Sequence, residues 1–147
     1  MSLVIDIADA VANELNAAAQ GTFSLEFSAL RRVLPIYELA DLVQLKVSVV
    51  PKAVEISGAT RGLSKYDVQV DIGIQQKLPS GENMDSHVEL LSGLVDEIVD
   101  YLRKKQLADA PWAAWVGGEN DPVYAPEHLA NKRVFTSVLT LTYRAMK

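Results

Sequence analysis

The chain has 147 residues, a length that fits one domain, and its 49% hydrophobic and 22% charged residues are ordinary for a globular protein. A formal net charge of −5 argues against a general grip on nucleic acid, which needs a basic footprint. The absence of cysteine excludes disulfides, thiolate metal sites and a cysteine nucleophile, and the sequence shows neither a signal peptide nor an apolar run of the ~20 residues that cross a membrane.

The chain begins with a predicted helix. Residues 2–20 carry apolar side chains at spacings of three and four, and Ser2 is the expected N-cap. Residues 22–28 then alternate apolar and polar side chains, which predicts a half-buried strand. Residues 35–41 are predicted to form a turn or a short helix after Pro35.

Two more strands are predicted in the middle of the chain. The first covers 45–49 and is expected to close at Pro51, because proline cannot donate to a ladder, with a short continuation at 53–56. Residues 58–64 are predicted to be a loop. The alternation of apolar and polar residues over 66–77 gives the clearest strand signal in the sequence.

A long helix, an irregular segment and a final strand follow. Residues 83–106 carry an apolar stripe at helical spacing, residues 107–132 show no period, and 133–147 return to alternation rich in threonine and valine. The predicted fold is a single α+β domain over 1–147. An antiparallel sheet of about four strands would carry two amphipathic helices packed on one face.

Two groups of carboxylates are candidates for chemistry. Asp67 and Asp71 lie four residues apart on a predicted strand and therefore project from one face, where they would bind a cation, act as an acid–base pair or simply meet solvent. The irregular segment holds a second group with metal-ligand side chains but no recognised ligand spacing. That group consists of Glu119, Asp121, Glu127 and His128.

Other residues are candidates for contacts with partners. Aromatic residues are enriched in binding hot spots, although a long loop also uses them to cover a core. Basic residues contact phosphate, although most lie on plain surface or in ion pairs. These candidates are Trp112, Trp115 and Tyr124 among the aromatics, and Arg31, Arg32, Arg61 and Lys65 among the bases. The sequence has no Gly-x-Ser-x-Gly elbow, and its 58–65 loop departs from the phosphate-loop pattern.

The sequence resembles small proteins of phages and prophages. The resemblance is strongest over 119–129 (ENDPVYAPEHL) and 133–143 (RVFTSVLTLTY), includes 49–56 (VVPKAVEI), and extends along most of the chain. These proteins are similar to the tail-terminator and tail-completion class of long-tailed phages. The resemblance implies a compact α+β subunit without enzymatic activity or cofactor, whose motifs are not catalytic.

The same resemblance implies the partners and the place of action. Proteins of this class usually assemble as a hexameric ring that caps the tail tube and meets the head or neck connector, so the implied location is the virion tail, and the host cytoplasm during assembly. Neither specific nucleic-acid binding nor membrane attachment is expected. Expected contact surfaces are the segment 112–129, the tip at Arg61 and Lys65, and the face that carries Asp67 and Asp71.

Two other classes of function are open on the residues alone. A small-molecule-binding or regulatory α+β module would need a ligand-sized pocket with convergent polar groups. A hydrolase or metalloenzyme would need Asp67 and Asp71, or the cluster around His128, to hold a metal at correct distances.

Overall fold

A computed structural model describes residues 2–34, 41–79 and 84–147. Within these residues the chain forms three α-helices, five strands and one single-turn 3₁₀ helix. The helices are α1 (Leu3–Asn16), α2 (Met84–Leu102) and α3 (Pro126–Lys132), and the 3₁₀ turn is Asp41–Val43. The strands are β1 (Ala29–Arg31), β2 (Lys46–Thr60), β3 (Leu63–Lys77), β4 (Ala114–Asn120) and β5 (Val134–Met146).

The five strands form one open sheet in the order β1-β2-β3-β5-β4. Strands β2, β3, β5 and β4 pair antiparallel in turn, whereas β1 pairs parallel with β2. The predicted α+β class is confirmed. The prediction of an antiparallel sheet of about four strands missed β4 and the short β1, whose parallel pairing makes the sheet mixed.

The core lies between one face of the sheet and the helices α1 and α2. The inward residues of β3 are fully buried there, as their alternation predicts, and they are Val68, Val70, Ile72 and Ile74, each 0% exposed. The long helix contributes its predicted stripe, of which Leu91, Val95, Ile98 and Leu102 are buried. Burial of such side chains supplies most of the favourable free energy of folding.

Helix α1 is fixed at both ends by side-chain hydrogen bonds. At its start the hydroxyl of Ser2 accepts from the N–H of Ile5 at 3.4 Å, as predicted for an N-cap. At its end the amide of Asn16 donates to the Ala29 carbonyl and accepts from the Ala29 N–H, both at 2.8 Å. Asn16 therefore pairs with β1 as a neighbouring strand would, and this pair of bonds holds β1 beside the helix.

The predicted strand at 22–28 is wrong. Phe23, Leu25 and Phe27 are indeed half-buried in alternation, but the segment joins no ladder. It lies across the helices instead, where Ser24 bonds Glu97 of α2 at 2.8 Å and the Phe23 and Tyr101 rings meet edge to face at 5.4 Å. Alternation reports which side chains are buried and does not distinguish cover by a helix from pairing in a sheet.

Strand β2 does not close at Pro51. It continues to Thr60 through register shifts between Pro51 and Ala53 and between Gly58 and Thr60, so the two segments predicted here form one long strand. Bulges accommodate an extra residue and let an edge strand carry proline. The predicted 58–64 loop is accordingly much shorter, since only residues 61–62 lie between the two strands. The predicted turn at 35–41 lies outside the described residues except for Asp41, which opens the 3₁₀ turn.

The irregular segment 107–132 contains two elements that the sequence did not indicate. Strand β4 holds two consecutive glycines, which weaken the strand pattern, and pairs with β5 through a register shift between Trp115 and Gly117. Helix α3 has proline at its first turn and spans only seven residues, too few for a clear period. No helix in the described ranges is both long and apolar enough to cross a membrane.

Tyr143 offers a test of this core. Its ring is 0% exposed, and among the described residues its hydroxyl has no hydrogen-bond partner. Burial, and then the nearby Glu14 charge, raise the pKa of Tyr143, so the phenol is neutral at ordinary pH. We expect Tyr143→Phe to change the free energy of unfolding by less than about 0.5 kcal/mol or to increase it, because an unpaired buried hydroxyl costs desolvation.

Urea denaturation followed by circular dichroism measures this change. Tyr143→Ala is the matched control, with an expected loss of about 3–5 kcal/mol through the cavity it leaves. A loss beyond about 1.5 kcal/mol in Tyr143→Phe would show that the hydroxyl is bonded in solution and would contradict this account.

Candidate interaction surface

The face of the sheet opposite α1 and α2 carries a polar surface that crosses four strands, here called the polar face. The pairing registers place its side chains in rows across the sheet. The polar face consists of Lys52, Ala53 and Glu55 from β2, Asp67, Gln69 and Asp71 from β3, Thr140, Thr142 and Arg144 from β5, and Ala114, Gly117 and Glu119 from β4. Asp67 and Asp71 share this face, as the sequence predicts.

Asp67 is held by Arg144 across the β3–β5 ladder. The Nε and a terminal nitrogen of Arg144 donate to the two carboxylate oxygens of Asp67 at 2.8 and 3.2 Å, a bidentate geometry. The hydrogen bond from Arg144 holds the pKa of Asp67 below its usual value, and the Lys65 charge adds to the effect. Asp67 is therefore a fixed carboxylate and half of an ion pair.

Asp71 is engaged in a second cross-strand pair. Its carboxylate accepts a hydrogen bond from the hydroxyl of Thr140 at 2.5 Å, and the ammonium of Lys52 lies 3.8 Å away. Thr140 is 6% exposed, whereas the side chains of Asp71 and Lys52 keep 28% and 47% of their exposure. Both carboxylates are therefore bonded to neighbouring side chains rather than forming a free pair with which to bind a cation.

The aromatic candidates divide into two kinds. Trp112 is 49% exposed and Tyr124 is 40% exposed, so solvent reaches a large part of both side chains. Trp115 instead packs against the core from β4, and its indole nitrogen is buried without a hydrogen-bond partner among the described residues. The covering interpretation therefore fits Trp115, and the interface interpretation of Trp112 and Tyr124 stays a prediction.

The carboxylates around His128 do not form a metal cluster. Nδ1 of His128 lies 2.9 Å from the hydroxyl of Thr136, while Glu119 and Asp121 are exposed at the end of β4. No group of three metal-ligating side chains occurs in the three described stretches of chain. His128 therefore connects α3 to β5 through a side-chain hydrogen bond.

The basic tip predicted at Arg61 and Lys65 lies at the turn of the β2–β3 hairpin. Arg61 is exposed in the turn, and Lys65 is half-buried on β3, where it is close enough to influence Asp67. The sequence did not indicate that the same hairpin would expose apolar side chains. Val54 is 38% exposed, Ile56 61% and Leu63 45%. They were missed because the sequence predicted that the strand closes at Pro51, whereas β2 continues past it.

An open groove of about 730 Å³ lies at the other end of the molecule. It runs between the end of α1, the segment after it and the start of β2. Its apolar lining includes Leu15, Phe23, Leu25, Phe27 and Leu45. The amide of Asn16, also at its wall, is already bonded to Ala29. The volume suits a small ligand, but this polar group is not free to orient one.

The comparisons with known proteins give no family for the chain. No protein-family model matches it, and no curated protein sequence matches it.

The Asp67–Arg144 pair predicts a dependence of stability on pH. Because the folded-state pKa of Asp67 lies below its ordinary value of 3.8, the pair stabilises the fold above that value and stops doing so as pH falls through the lowered pKa. We expect Asp67→Asn to have a lower Tm than the natural chain at about pH 7, and this difference to shrink at about pH 3.

Thermal scans of both proteins over that range measure the difference. Asp96→Asn, an exposed change in the middle of α2, is the control and should give a Tm difference that varies little with pH. A Tm difference for Asp67→Asn that stays constant from neutral to acid pH would contradict an ionic role for Asp67.

Proposed function

We propose that the protein is a virion structural protein of a long-tailed phage or prophage. It would act as a tail terminator or completion protein that forms a ring, about six copies, at the end of the tail tube and joins it to the head connector. The observation that carries the proposal is the resemblance of 119–129 and 133–143 to phage proteins of this class.

The fold supports treating these two segments as one unit. The side-chain amide of Asn120 donates to the Ser137 hydroxyl at 3.0 Å and to the Val138 carbonyl at 2.8 Å. The backbone of Asp121 also donates to Val138 at 3.0 Å, and His128 contacts Thr136. The two stretches that carry the resemblance therefore lie together in one folded region, which is made of the end of β4, α3 and β5.

The surfaces of the molecule suit self-assembly. A ring subunit needs broad polar and aromatic contact areas, and the polar face together with Trp112 and Tyr124 supplies them. The engaged carboxylates of Asp67 and Asp71 support a non-enzymatic role. The net charge of −5 suits a channel through which DNA slides, because negative walls repel phosphate. Strong, salt-sensitive DNA binding by the assembled protein would contradict the channel role.

A small-molecule-binding or regulatory module is the second candidate, and the 730 Å³ groove beside α1 favours it. It would function as a monomer with a ligand between Phe23 and Leu45, and it would not require the surfaces on the polar face. The two candidates therefore differ in the oligomeric state they require.

Particles assembled without this protein test the phage role. We expect electron microscopy to show tails of uncontrolled length, or tails detached from heads, because the tube would have neither a cap nor a joint. Supplying the natural gene in trans is the control and should restore normal particles. Normal particles in the absence of the protein would contradict the proposal.

The mass of the purified chain in solution tests self-assembly. We expect light scattering coupled to size exclusion to detect a species near six times the 16.1 kDa chain as the concentration rises. A strict monomer at every concentration would favour the small-molecule module.

A further inference from the structure

Among the described residues, the sheet ends in two edges that no further strand pairs with, and these edges face away from each other. Strand β1 pairs only with Val47–Val49, so from Lys52 to Thr60 no described strand covers the outer edge of β2. Residues 52–56 of that stretch are exposed. Strand β4 is the last strand on the other side of the sheet. An uncovered edge presents a row of N–H and C=O groups that another strand can pair with.

The backbone groups of β2 that point outward can be assigned from its neighbours. The carbonyl of Val49 accepts from the Arg32 N–H at 2.9 Å, so the backbone groups of Val49 point away from β3. Alternation, carried through the bulge at Lys52, puts Val54 and Ile56 in the same orientation. Pro51 also points outward, which agrees with its lack of an N–H.

The outward groups of β4 follow from β5. The N–H and C=O of Val138 bond Pro122 and Asp121, so even-numbered residues of β5 point toward β4. Their partners on β4, such as Gly117, point inward. The backbone groups of Trp115 and Gly118 therefore point away from the sheet.

The two edges lie at the same level. The pairing registers connect Val54 to Val68, Val68 to Tyr143 and Tyr143 to Trp115, so one row of apolar side chains crosses the sheet on the core face. Val68 and Tyr143 are 0% exposed in its middle, whereas Val54 and Trp115 at its ends are only partly covered. Both ends would lose solvent contact if they met.

The polar face adds opposite charges at the two edges. Glu119 on β4 pairs with Thr140, which pairs with Asp71, the residue that Lys52 of β2 approaches at 3.8 Å. Lys52 and Glu119 thus lie near one level at the two opposite edges of the sheet. A copy whose β4 edge meets the β2 edge of its neighbour brings these charges together.

We propose that copies of this chain join head to tail by pairing the β2 edge of one copy with the β4 edge of the next, with Val54 level with Trp115. Strands β2 and β4 run in opposite directions within the sheet, so such pairing is antiparallel. Contacts between two different surfaces propagate from copy to copy and close into a ring if the rotation permits. This inference rests on the self-association in the proposed function and deepens it.

A pair of introduced cysteines tests the pairing, since the natural chain has none. In the level register Glu55 of one copy lies opposite Ala114 of the next in a non-hydrogen-bonded pair, where Cα atoms are about 4.5 Å apart and a disulfide can form. We expect oxidised Glu55→Cys/Ala114→Cys to give a ladder of covalent oligomers on a non-reducing gel. A mixture of the two single variants should stop at dimers.

The control for random oxidation is Glu55→Cys/Glu89→Cys, which moves the second thiol to the exposed side of α2. No ladder in the test variant, or an equal ladder in the control, would overturn the proposal. Dimers from Glu55→Cys alone, at the yield of the mixture, would also overturn it, because they would show two β2 edges pairing with each other.

A backbone variant separates edge pairing from simple proximity. In the double-cysteine chain, Val54→Pro removes an outward N–H while leaving the ladder to β3, and we expect it to abolish the covalent ladder. Val54→Thr keeps that N–H and should retain the ladder. Circular dichroism verifies that both variants fold. A ladder that survives Val54→Pro would overturn strand pairing.

The outcome is separable from that of the phage role. If the covalent ladder forms but particles made without the protein are normal, the edge pairing is supported and the terminator role is rejected. If tails are abnormal but no covalent ladder forms, the terminator role is supported and the edge pairing is rejected.

Discussion

The antiparallel ladder between β3 and β5 determines what each face of this molecule carries. It runs from Lys65 opposite Met146 to Lys77 opposite Val134, and side chains alternate along it with a period of two. A register slip by one residue would send Asp67 and Asp71 into the core and Val68 to the surface. The cross-strand pairs Asp67–Arg144 and Asp71–Thr140 favour the observed register from the polar side, while Val68 and Tyr143 favour it from the apolar side.

Elements with a strong, long period could be predicted from the sequence. The stripe of α2 and the alternation of β3 and β5 were each long enough to indicate both the type of element and its buried face. The strand prediction for 22–28 was wrong because burial beneath helices produces the same alternation as pairing in a sheet. Strand β1 could not be predicted, because it has only three residues, which show no period, and Asn16 holds it in place.

The candidate site was predicted only in part for a related reason. Strand alternation alone places Asp67 and Asp71 on one face, but their partners Arg144 and Thr140 are more than 60 residues away in sequence and become neighbours only through the sheet order. How much of the β2 edge a described strand covers depends on how far β1 extends beside it, which is a property of packing. A local pattern of residues does not carry that information.

Two of the three register shifts in the sheet lie at one level and bear on its shape. Lys52 is the extra residue on β2, and Val116 is the extra residue on β4, and both lie beside the row that contains Gln69. A bulge bends its strand and increases the local right-handed twist. Because these two bulges lie at one level, their bends are expected to add along a single line across the sheet. Removing either bulge would then change the twist of its strand at that line, and in the proposed ring such a change would alter the angle between neighbouring copies.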